Sequence, residues 1–261
     1  MNYLLSTLFF IFGGILGSFI NVIAVRYNTG IGIDGRSRCF SCGKTLHFLE
    51  LIPFFSFIFL RGKCSKCKSK ISLQDFIMEV GMAFLTLFLF LKFSLSLQTF
   101  YFIFIFSLLL IILAYDLKHK IIPDGVVFLF IFFSFLYIFV DLKEIIFHTP
   151  NLVSFLSGFI IALPFFFLWL VSNGKWMGLG DGKLSLGIGF LLGISKGFSA
   201  LALAFWIGAV ISLLVICISK ILNSNKLSLE GKKLTMKSEV PFAPFIILGF
   251  LIVFFTGLNL F

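Results

Sequence analysis

Charged residues are scarce in this chain, and acidic ones are the scarcest. Charged residues make up 12% of the 261 residues, and 11 Asp and Glu stand against 21 Lys and Arg. Average soluble domains carry about 25% charged residues. Together with a mean hydropathy of +1.13, this scarcity excludes a soluble globule. Several apolar runs reach the ~20 residues that a helix needs to cross a bilayer, whereas a barrel would show short alternating segments.

The sequence also lacks the features of a signal peptide, internal repeats and low-complexity linkers. The first apolar segment has no basic n-region and no convincing small-residue cleavage site, so we interpret it as a retained span. The sequence has no evident internal repeat and no low-complexity linker. The net charge of +10 does not require a nucleic acid partner, because the basic residues cluster between apolar runs, as in cytoplasmic loops of membrane proteins.

The apolar runs predict an all-α polytopic membrane protein with about eight transmembrane segments, one of them short. The sequence therefore predicts that the protein binds the lipid bilayer. The short segment, about 184–194, should end in a turn at Ser195-Lys196-Gly197. The other helices are expected at about 4–25, 76–92, 98–115, 125–140, 152–171, up to 219, and from 242. Asn21 in the first helix is most simply a hydrogen-bonded polar residue between helices, and a substrate-facing role is the alternative.

One sizeable polar stretch, residues 26–75, interrupts the apolar pattern. It holds nine Lys or Arg against three acids, which places it in the cytoplasm and the N-terminus outside. The run Ile52 to Leu60 is too short to span and should be buried within this small domain. We therefore divide the chain into a first transmembrane helix (1–25), a cytoplasmic loop domain (26–75) and a membrane-embedded remainder (76–261).

Four of the five cysteines form two CxxC pairs in that loop. Such spacing suits tetrahedral coordination of zinc by thiolates, which stabilises domains too small for a sufficient core. Disulfides are the alternative, although a cytoplasmic loop is reducing. Cys217 lies in an apolar helix and is interpreted as a small hydrophobic residue. The candidate metal ligands are Cys39, Cys42, Cys64 and Cys67.

Two acidic stretches border apolar runs. In Gly178-Leu179-Gly180-Asp181-Gly182-Lys183, glycines allow close approach to a carboxylate, although a solvated loop is the plain alternative. Asp116 closes an apolar helix at membrane depth, where an ionisable group is costly and usually functional. For Asp124, which follows Pro123, capping of the next helix is the favoured interpretation. Counting the crossings puts both stretches on the cytoplasmic face.

Two aspartates that face one water can hydrolyse a peptide bond. The ionised carboxylate takes a proton from the water while the protonated one polarises the carbonyl and later protonates the leaving amine. Two like charges a few ångströms apart resist joint ionisation, which supplies the asymmetry. Asp116 and Asp181 are the candidates for such a pair.

The chain resembles the type IV prepilin peptidases and, more distantly, intramembrane aspartyl proteases with a Gly-x-Gly-Asp motif, which include presenilin. The resemblance runs nearly from end to end. Its motifs are Gly17–Val22 with Arg26, Gly35–Cys42, Ile52-Pro53, Arg61–Cys67, Ile71-Ser72, Asp116 with Ile122–Asp124, Gly178–Leu184 and Pro241–Phe245. Departures from the family pattern are Leu51 (usually Asn), Lys68 (usually Gly) and Leu73-Gln74-Asp75 (usually Arg-Tyr-Pro).

The resemblance implies a function. Asp116 and Asp181 would be the catalytic pair of a membrane-embedded aspartyl peptidase domain (76–261). The supporting residues would be Gly178, Gly180, Lys183, Pro123 and Asp124. The implied substrate is a prepilin or pseudopilin with a short basic leader, cut on the cytoplasmic side of the bacterial inner membrane. Family members with the cysteine domain usually also N-methylate the new terminus with S-adenosylmethionine.

Two other classes compete with a peptidase. A proton- or ion-coupled transporter would use membrane carboxylates as ion sites, but it predicts carboxylates near the midplane and often an inverted repeat. A non-catalytic assembly factor would dock a partner on its zinc domain, but it gives Asp116 and Asp181 no role.

Overall fold

The structure is a computed structural model. It describes residues 2–30, 32, 38–39, 41–47, 50–51, 53–54, 59–60, 62–70, 72–142, 144, 146–221, 228–229, 232–233 and 241–261. Predictions for Gly35 to Ser37, for most of the run Ile52 to Leu60, and for much of the lysine-rich loop before the last helix lie outside the described residues.

Helices dominate the described chain. They are α1 (Asn2–Arg26), α2 (Leu73–Phe93), α3 (Leu97–His119), α4 (Asp124–Leu136), α5 (Leu152–Ser172), α6 (Leu179–Ile221) and α7 (Ala243–Thr256). Four short strands form two separate two-stranded sheets. They are β1 (Val140–Asp141) with β2 (Ile146–Phe147), and β3 (Ser228–Leu229) with β4 (Lys232–Lys233). The second sheet is antiparallel, with Ser228 opposite Lys233.

By length and composition, five of these helices can cross a membrane: α1, α2, α3, α5 and α6. Helices α4 and α7 are apolar but shorter. The prediction of an all-α polytopic membrane protein is confirmed. The interruption at Gly193 divides α6, so these seven helices form eight helical stretches, whereas the sequence predicts about eight transmembrane segments and five of the helices are long enough to cross a membrane.

The interruption in α6 lies at Gly193, where φ is 77° and ψ is −179°. The predicted turn at Ser195-Lys196-Gly197 is wrong, since these residues are helical. Glycine has no Cβ and reaches positive φ without steric cost, so the chain changes direction there instead. The short helical stretch that follows Asp181 therefore ends two residues earlier than expected.

The chain divides into two compact units. The first comprises residues 1–115 with 142–146, and the second comprises 116–141 with 147–261. The boundary falls inside α3, directly before Asp116. The three-part division drawn from the sequence stays a prediction.

In the first unit, α1 packs closely on α2 through its small residues. A Cβ built on Gly17 would lie 2.6 Å from the carbonyl oxygen of Met78, so only glycine allows this approach. Asn21 Nδ2 donates to Asp75 Oδ1 at 2.6 Å. Asn21 is therefore a hydrogen-bonded polar residue between helices, as predicted.

In the second unit, α6 packs against α4, α5 and α7. Small residues again allow close approach: a Cβ on Gly189 would lie 2.8 Å from the Cα of Gly158 in α5. The C-terminal tail returns to α6, where the Leu260 N–H donates to Ser199 Oγ at 2.8 Å. The contact at Gly189 lies on the same side of the break at Gly193 as Asp181, and the contact at Ser199 lies beyond it.

Candidate active site and metal site

Asp116 lies in the last turn of α3 and is almost fully buried, with 4% exposure. The backbone N–H of Ala243 donates a hydrogen bond to its carboxylate. Its second oxygen, Oδ2, is buried and has no hydrogen-bond partner within the described part of the chain. A buried carboxylate oxygen without a partner is costly, so this side chain is held in place for a reason other than stability.

Ala243 can serve as donor because it opens α7. The first N–H groups of a helix have no intrahelical partner, and the helix dipole favours an anion there. Pro244, which has no N–H, follows at once. Our sequence interpretation did not identify Ala243 as a site residue, because only the Pro241–Phe245 motif pointed to this segment.

Asp181 lies in the first turn of α6. The prediction of a flexible glycine loop at Gly178–Lys183 is wrong, because the helix begins at Leu179 and includes Gly180 and Gly182. The backbone N–H of Gly178 donates to the Asp181 carboxylate, and the N–H of Asp181 donates to the Gly178 carbonyl at 3.2 Å. The carboxylate of Asp181, at the third helical position, thus accepts from the N-cap N–H as in one half of a capping box, while its own N–H is bound by a backbone carbonyl because Gly178 has no side chain. The carboxylates of Asp181 and Asp116 lie close enough to interact electrostatically. The structure thus brings the two predicted aspartates together within the second unit.

Gly180 is the point where the two acidic stretches make contact. A Cβ built on Gly180 would lie 2.9 Å from the Cβ of Ile122, closer than real side chains approach. Ile122 itself is buried. Gly180 therefore lets the start of α6 lie directly on the segment that follows Asp116. A Cβ built on Gly178 would meet Asp181 Oδ2 as its nearest atom, at 3.7 Å, which is an ordinary van der Waals contact.

Lys183 and Asp124 form a second link between the same two stretches, with Nζ and Oδ1 2.6 Å apart. The Asp124 side chain is 68% exposed. The interpretation of Asp124 as a helix cap is wrong: the N-cap of α4 is Pro123, no side chain caps it by a hydrogen bond, and Asp124 is the first helical residue. Pro123 is buried, and its fixed φ suits the entry to the helix.

The four predicted metal ligands come together in the first unit. The sulfur atoms of Cys39, Cys42, Cys64 and Cys67 all lie within 4.8 Å of one another. The Cys39 and Cys67 sulfurs are 3.8 Å apart, and a zinc tetrahedron with bonds of about 2.3 Å has edges of about 3.8 Å. All five cysteines are free thiols, which disfavours the disulfide alternative. The residues fit a structural zinc ion held by four thiolates.

Two similar backbone loops, here called the first knuckle (residues 38–45) and the second knuckle (residues 63–70), present the thiols. Each is closed by an isolated β-bridge, Arg38 with Thr45 and Lys63 with Lys70. Gly43 in the first knuckle has a φ of 67°, and Lys68 at the matching place has a φ of 58°. The departure from the family's glycine at Lys68 therefore leaves the backbone conformation unchanged.

A hydrogen bond from Lys44 to Ser65 joins the two knuckles, and Glu50 binds both of these residues. Lys44 Nζ lies 2.7 Å from Glu50 Oε1 and donates to Ser65 Oγ at 2.6 Å, while the Ser65 hydroxyl also donates to Glu50. The Lys44 ammonium and the Ser65 hydroxyl lower the pKa of Glu50 to about 2. Since the folded pKa lies below the usual one, this contribution to stability is present at neutral pH and is lost as the pH falls toward 2. Hydrogen bonds, chiefly from the Cys42 N–H, lower the pKa of the Cys39 thiol to about 6, whereas burial and the neighbouring thiols raise the pKa of Cys42 to about 11.

Glu79 is a buried residue that our sequence interpretation missed. It lies inside α2, and its Oε2 accepts a hydrogen bond from the backbone N–H of Phe54 at 3.0 Å. Phe54 has a φ of 64°, and its ring lies against Gly14, where a Cβ would approach it to 2.6 Å. The signal was available, because a glutamate within an apolar membrane helix is costly and usually functional.

Known proteins resemble the chain over almost its whole length. Two family models match it: the bacterial peptidase A24 N-terminal domain at residues 11–93, and the type IV leader peptidase family at residues 103–213. A prepilin leader peptidase/N-methyltransferase of Bacillus subtilis (strain 168) is 31% identical over 255 residues, which cover 96% of this chain and 94% of the relative. The chain belongs to the type IV leader peptidase family.

Two further relatives carry the same name. The protein of Vibrio cholerae serotype O1 is 27% identical, with 98% of each chain covered, and that of Pseudomonas putida is 25% identical, with 92% of this chain and 86% of the relative covered. No solved structure matches the chain. Membership in the type IV leader peptidase family makes this chain a peptidase, and nothing in the comparisons supports a transporter.

The matched ranges divide the candidate residues between them. The N-terminal domain model covers the four cysteines and Glu79, whereas the leader peptidase model covers both aspartates and the pair formed by Lys183 and Asp124. Ala243, the backbone donor to Asp116, lies beyond both ranges.

Proposed function

We propose that this chain cleaves the leader peptide of prepilins or pseudopilins, with Asp116 and Asp181 as the catalytic pair. The observation that supports this most is the buried Oδ2 of Asp116, which has no partner in the described chain although it neighbours a second carboxylate. A water or a substrate carbonyl would supply the missing hydrogen bond.

The chemistry follows from the pairing. One carboxylate, ionised, removes a proton from a water, whose oxygen then attacks the scissile carbonyl carbon. The other, protonated, donates a hydrogen bond to the carbonyl oxygen and later supplies a proton to the leaving amine. Because the two groups titrate as a pair, we assign neither role to one residue.

The supporting residues named from the sequence fix the positions of Asp116 and Asp181 relative to each other. Gly180 allows contact with Ile122, and Lys183 binds Asp124, so two contacts join the segment after Asp116 to the segment around Asp181. Gly178 contributes the N–H that orients the Asp181 carboxylate, and Pro123 sets the direction in which α4 leaves. Preorganised catalytic groups lower the activation barrier of peptide hydrolysis more than tighter substrate binding would.

We further propose that the peptidase lies in the bacterial inner membrane with its N-terminus outside and the aspartates toward the cytoplasm. The excess of Lys and Arg in residues 26–75 supports this orientation. The substrate would be a membrane-inserted prepilin whose short basic leader is cut just before its apolar helix.

N-methylation of the new terminus is the second proposed activity, and it rests on the name that the relatives carry. S-adenosylmethionine would supply the methyl group. The described residues do not single out a binding site for this donor, so we derive no step of methyl transfer. The tetracysteine zinc ion is proposed to be structural.

Mass analysis of the processed substrate tests both activities. Purified full-length protein is incubated with a prepilin and S-adenosylmethionine, and the product should have lost its leader and gained one methyl group. Asp116→Asn and Asp181→Asn should each abolish cleavage while expression and membrane insertion persist. Glu144→Gln, which changes an exposed carboxylate between β1 and β2, is the control. Full cleavage by either aspartate variant would contradict the assignment.

A further inference from the structure

Four lysines of the second knuckle project from one short loop. Lys63, Lys66, Lys68 and Lys70 are all exposed, and we call them the lysine cluster. The thiols at the intervening positions 64 and 67 belong to the metal site. The loop that the metal would fix therefore presents a fixed array of ammonium groups.

This positive charge is not balanced locally. The sequence has no acidic residue between Glu50 and Asp75. Glu50 is engaged by Lys44 and Ser65. Among the described residues, no ion pair involves a member of the lysine cluster.

The fold also holds these like charges together. Lys63 and Lys70 lie directly opposite each other in the β-bridge, and like charges in that position are destabilising. In the first knuckle the matching bridge pairs Arg38 with the neutral Thr45, and Lys44 is neutralised by Glu50. Of the two knuckles, the second therefore carries more positive charge without an ion pair among the described residues, and an anionic partner would relieve the repulsion.

A membrane surface lies within reach. Helix α2, which can cross a membrane, begins at Leu73, three residues after Lys70. Three extended residues span at most about 10 Å, and the Debye length at physiological ionic strength is about 8 Å. Lys70 is therefore held within a distance on the order of one Debye length from the start of this helix, and the other three lysines lie on the same short loop.

We propose that the lysine cluster binds the anionic phospholipid headgroups that surround the start of α2. Each lysine near an anionic surface contributes roughly a fivefold gain in binding. The contact would hold the metal-binding loop against the bilayer. It is independent of the peptidase chemistry, so it stands or fails separately from the proposed function.

Trypsin, which cleaves after lysine, reports directly on the cluster. Full-length protein is placed in nanodiscs of phosphatidylcholine alone, or in nanodiscs that also contain phosphatidylglycerol. Cleavage after the four lysines should be about tenfold slower with phosphatidylglycerol, and high salt should abolish the difference. Lys175, an isolated exposed lysine between α5 and α6, is the internal control.

Hydrogen exchange of residues 62–72 provides the variant test. Phosphatidylglycerol should protect this segment in the wild type and in Arg38→Gln, the matched change in the first knuckle. The protection should disappear when all four lysines are changed to glutamine.

Equal cleavage in the two lipids would overturn the proposal, as would equal slowing at Lys175. Inorganic phosphate is added to the phosphatidylcholine nanodiscs as a further test. If it slows cleavage as much as phosphatidylglycerol does, the proposal is overturned, because the partner would then be a free anion. The wild-type comparison needs no variant, so it decides the matter even where the fourfold variant fails to fold.

Discussion

Lys183 Nζ lies 2.6 Å from Asp124 Oδ1, and the same ammonium lies 4.8 Å from the centroid of the Phe128 ring. These contacts join the start of α6, which carries Asp181, to the start of α4. The lysine is only 20% exposed, whereas its partner is largely open to solvent. Because exposed ion pairs contribute little to stability, we expect this pair to orient the start of α6 more than it stabilises the fold.

Breaking this ion pair should have a modest effect. Exposed pairs are worth about 0.2–1 kcal/mol, so Lys183→Met and Asp124→Asn should each lower kcat/KM for leader cleavage by up to about fivefold. The swapped variant, Asp124→Lys with Lys183→Asp, should recover part of the loss. A loss as large as that of Asp116→Asn would mean that one of these residues acts on the substrate directly.

Adding one methyl group at Gly180 should be more damaging. The new Cβ would lie 2.9 Å from the Cβ of Ile122, so Gly180→Ala pushes Asp181 away from its partner. Displacement by about 1 Å can lower a rate by about a hundredfold. Ile122→Ala in the same chain should restore part of the cleavage rate. The control is Gly178→Ala, whose Cβ meets only an ordinary contact and should matter less. Equal losses in the two alanine variants would contradict this reading of the contact.

Metal analysis should find about one zinc ion per chain, bound by the four thiolates. Changing both Cys39 and Cys42 to serine should release it and make residues 38–70 sensitive to protease, since metal binding and folding of so small a loop are linked. The disulfide alternative would instead be supported by absence of zinc together with thiol titration that finds the four cysteines oxidised.

Glu79 should fasten the tetracysteine segment to α1 and α2. Glu79→Ala leaves the Phe54 N–H without its acceptor, at a cost of about 1–3 kcal/mol, so chymotrypsin should cleave after Phe54 faster. Glu79→Gln keeps an acceptor oxygen and should behave nearly as the wild type. Glu144→Gln, which changes an exposed carboxylate between β1 and β2, is the control. Unchanged cleavage in Glu79→Ala would show that the turn is held by other contacts.

The sequence alone determined the class of protein and most element positions. Long apolar runs can be satisfied only as membrane helices, so the predicted α1, α2, α3 and α5 agree with the structure to within a few residues at either end. The paired CxxC spacing predicted the sulfur cluster for a similar reason, because each knuckle is a local structure and only their meeting is tertiary.

Only the tertiary structure decided which distant groups meet. Composition and periodicity report on a residue's immediate neighbours, so they could not show that Ala243 donates to Asp116 or that Asp124 pairs with Lys183 instead of capping α4. The break in α6 likewise falls at Gly193, although Ser195-Lys196-Gly197 has the stronger local turn signal. Side chains far apart in sequence are brought together by packing, and packing depends on the whole set of helices at once.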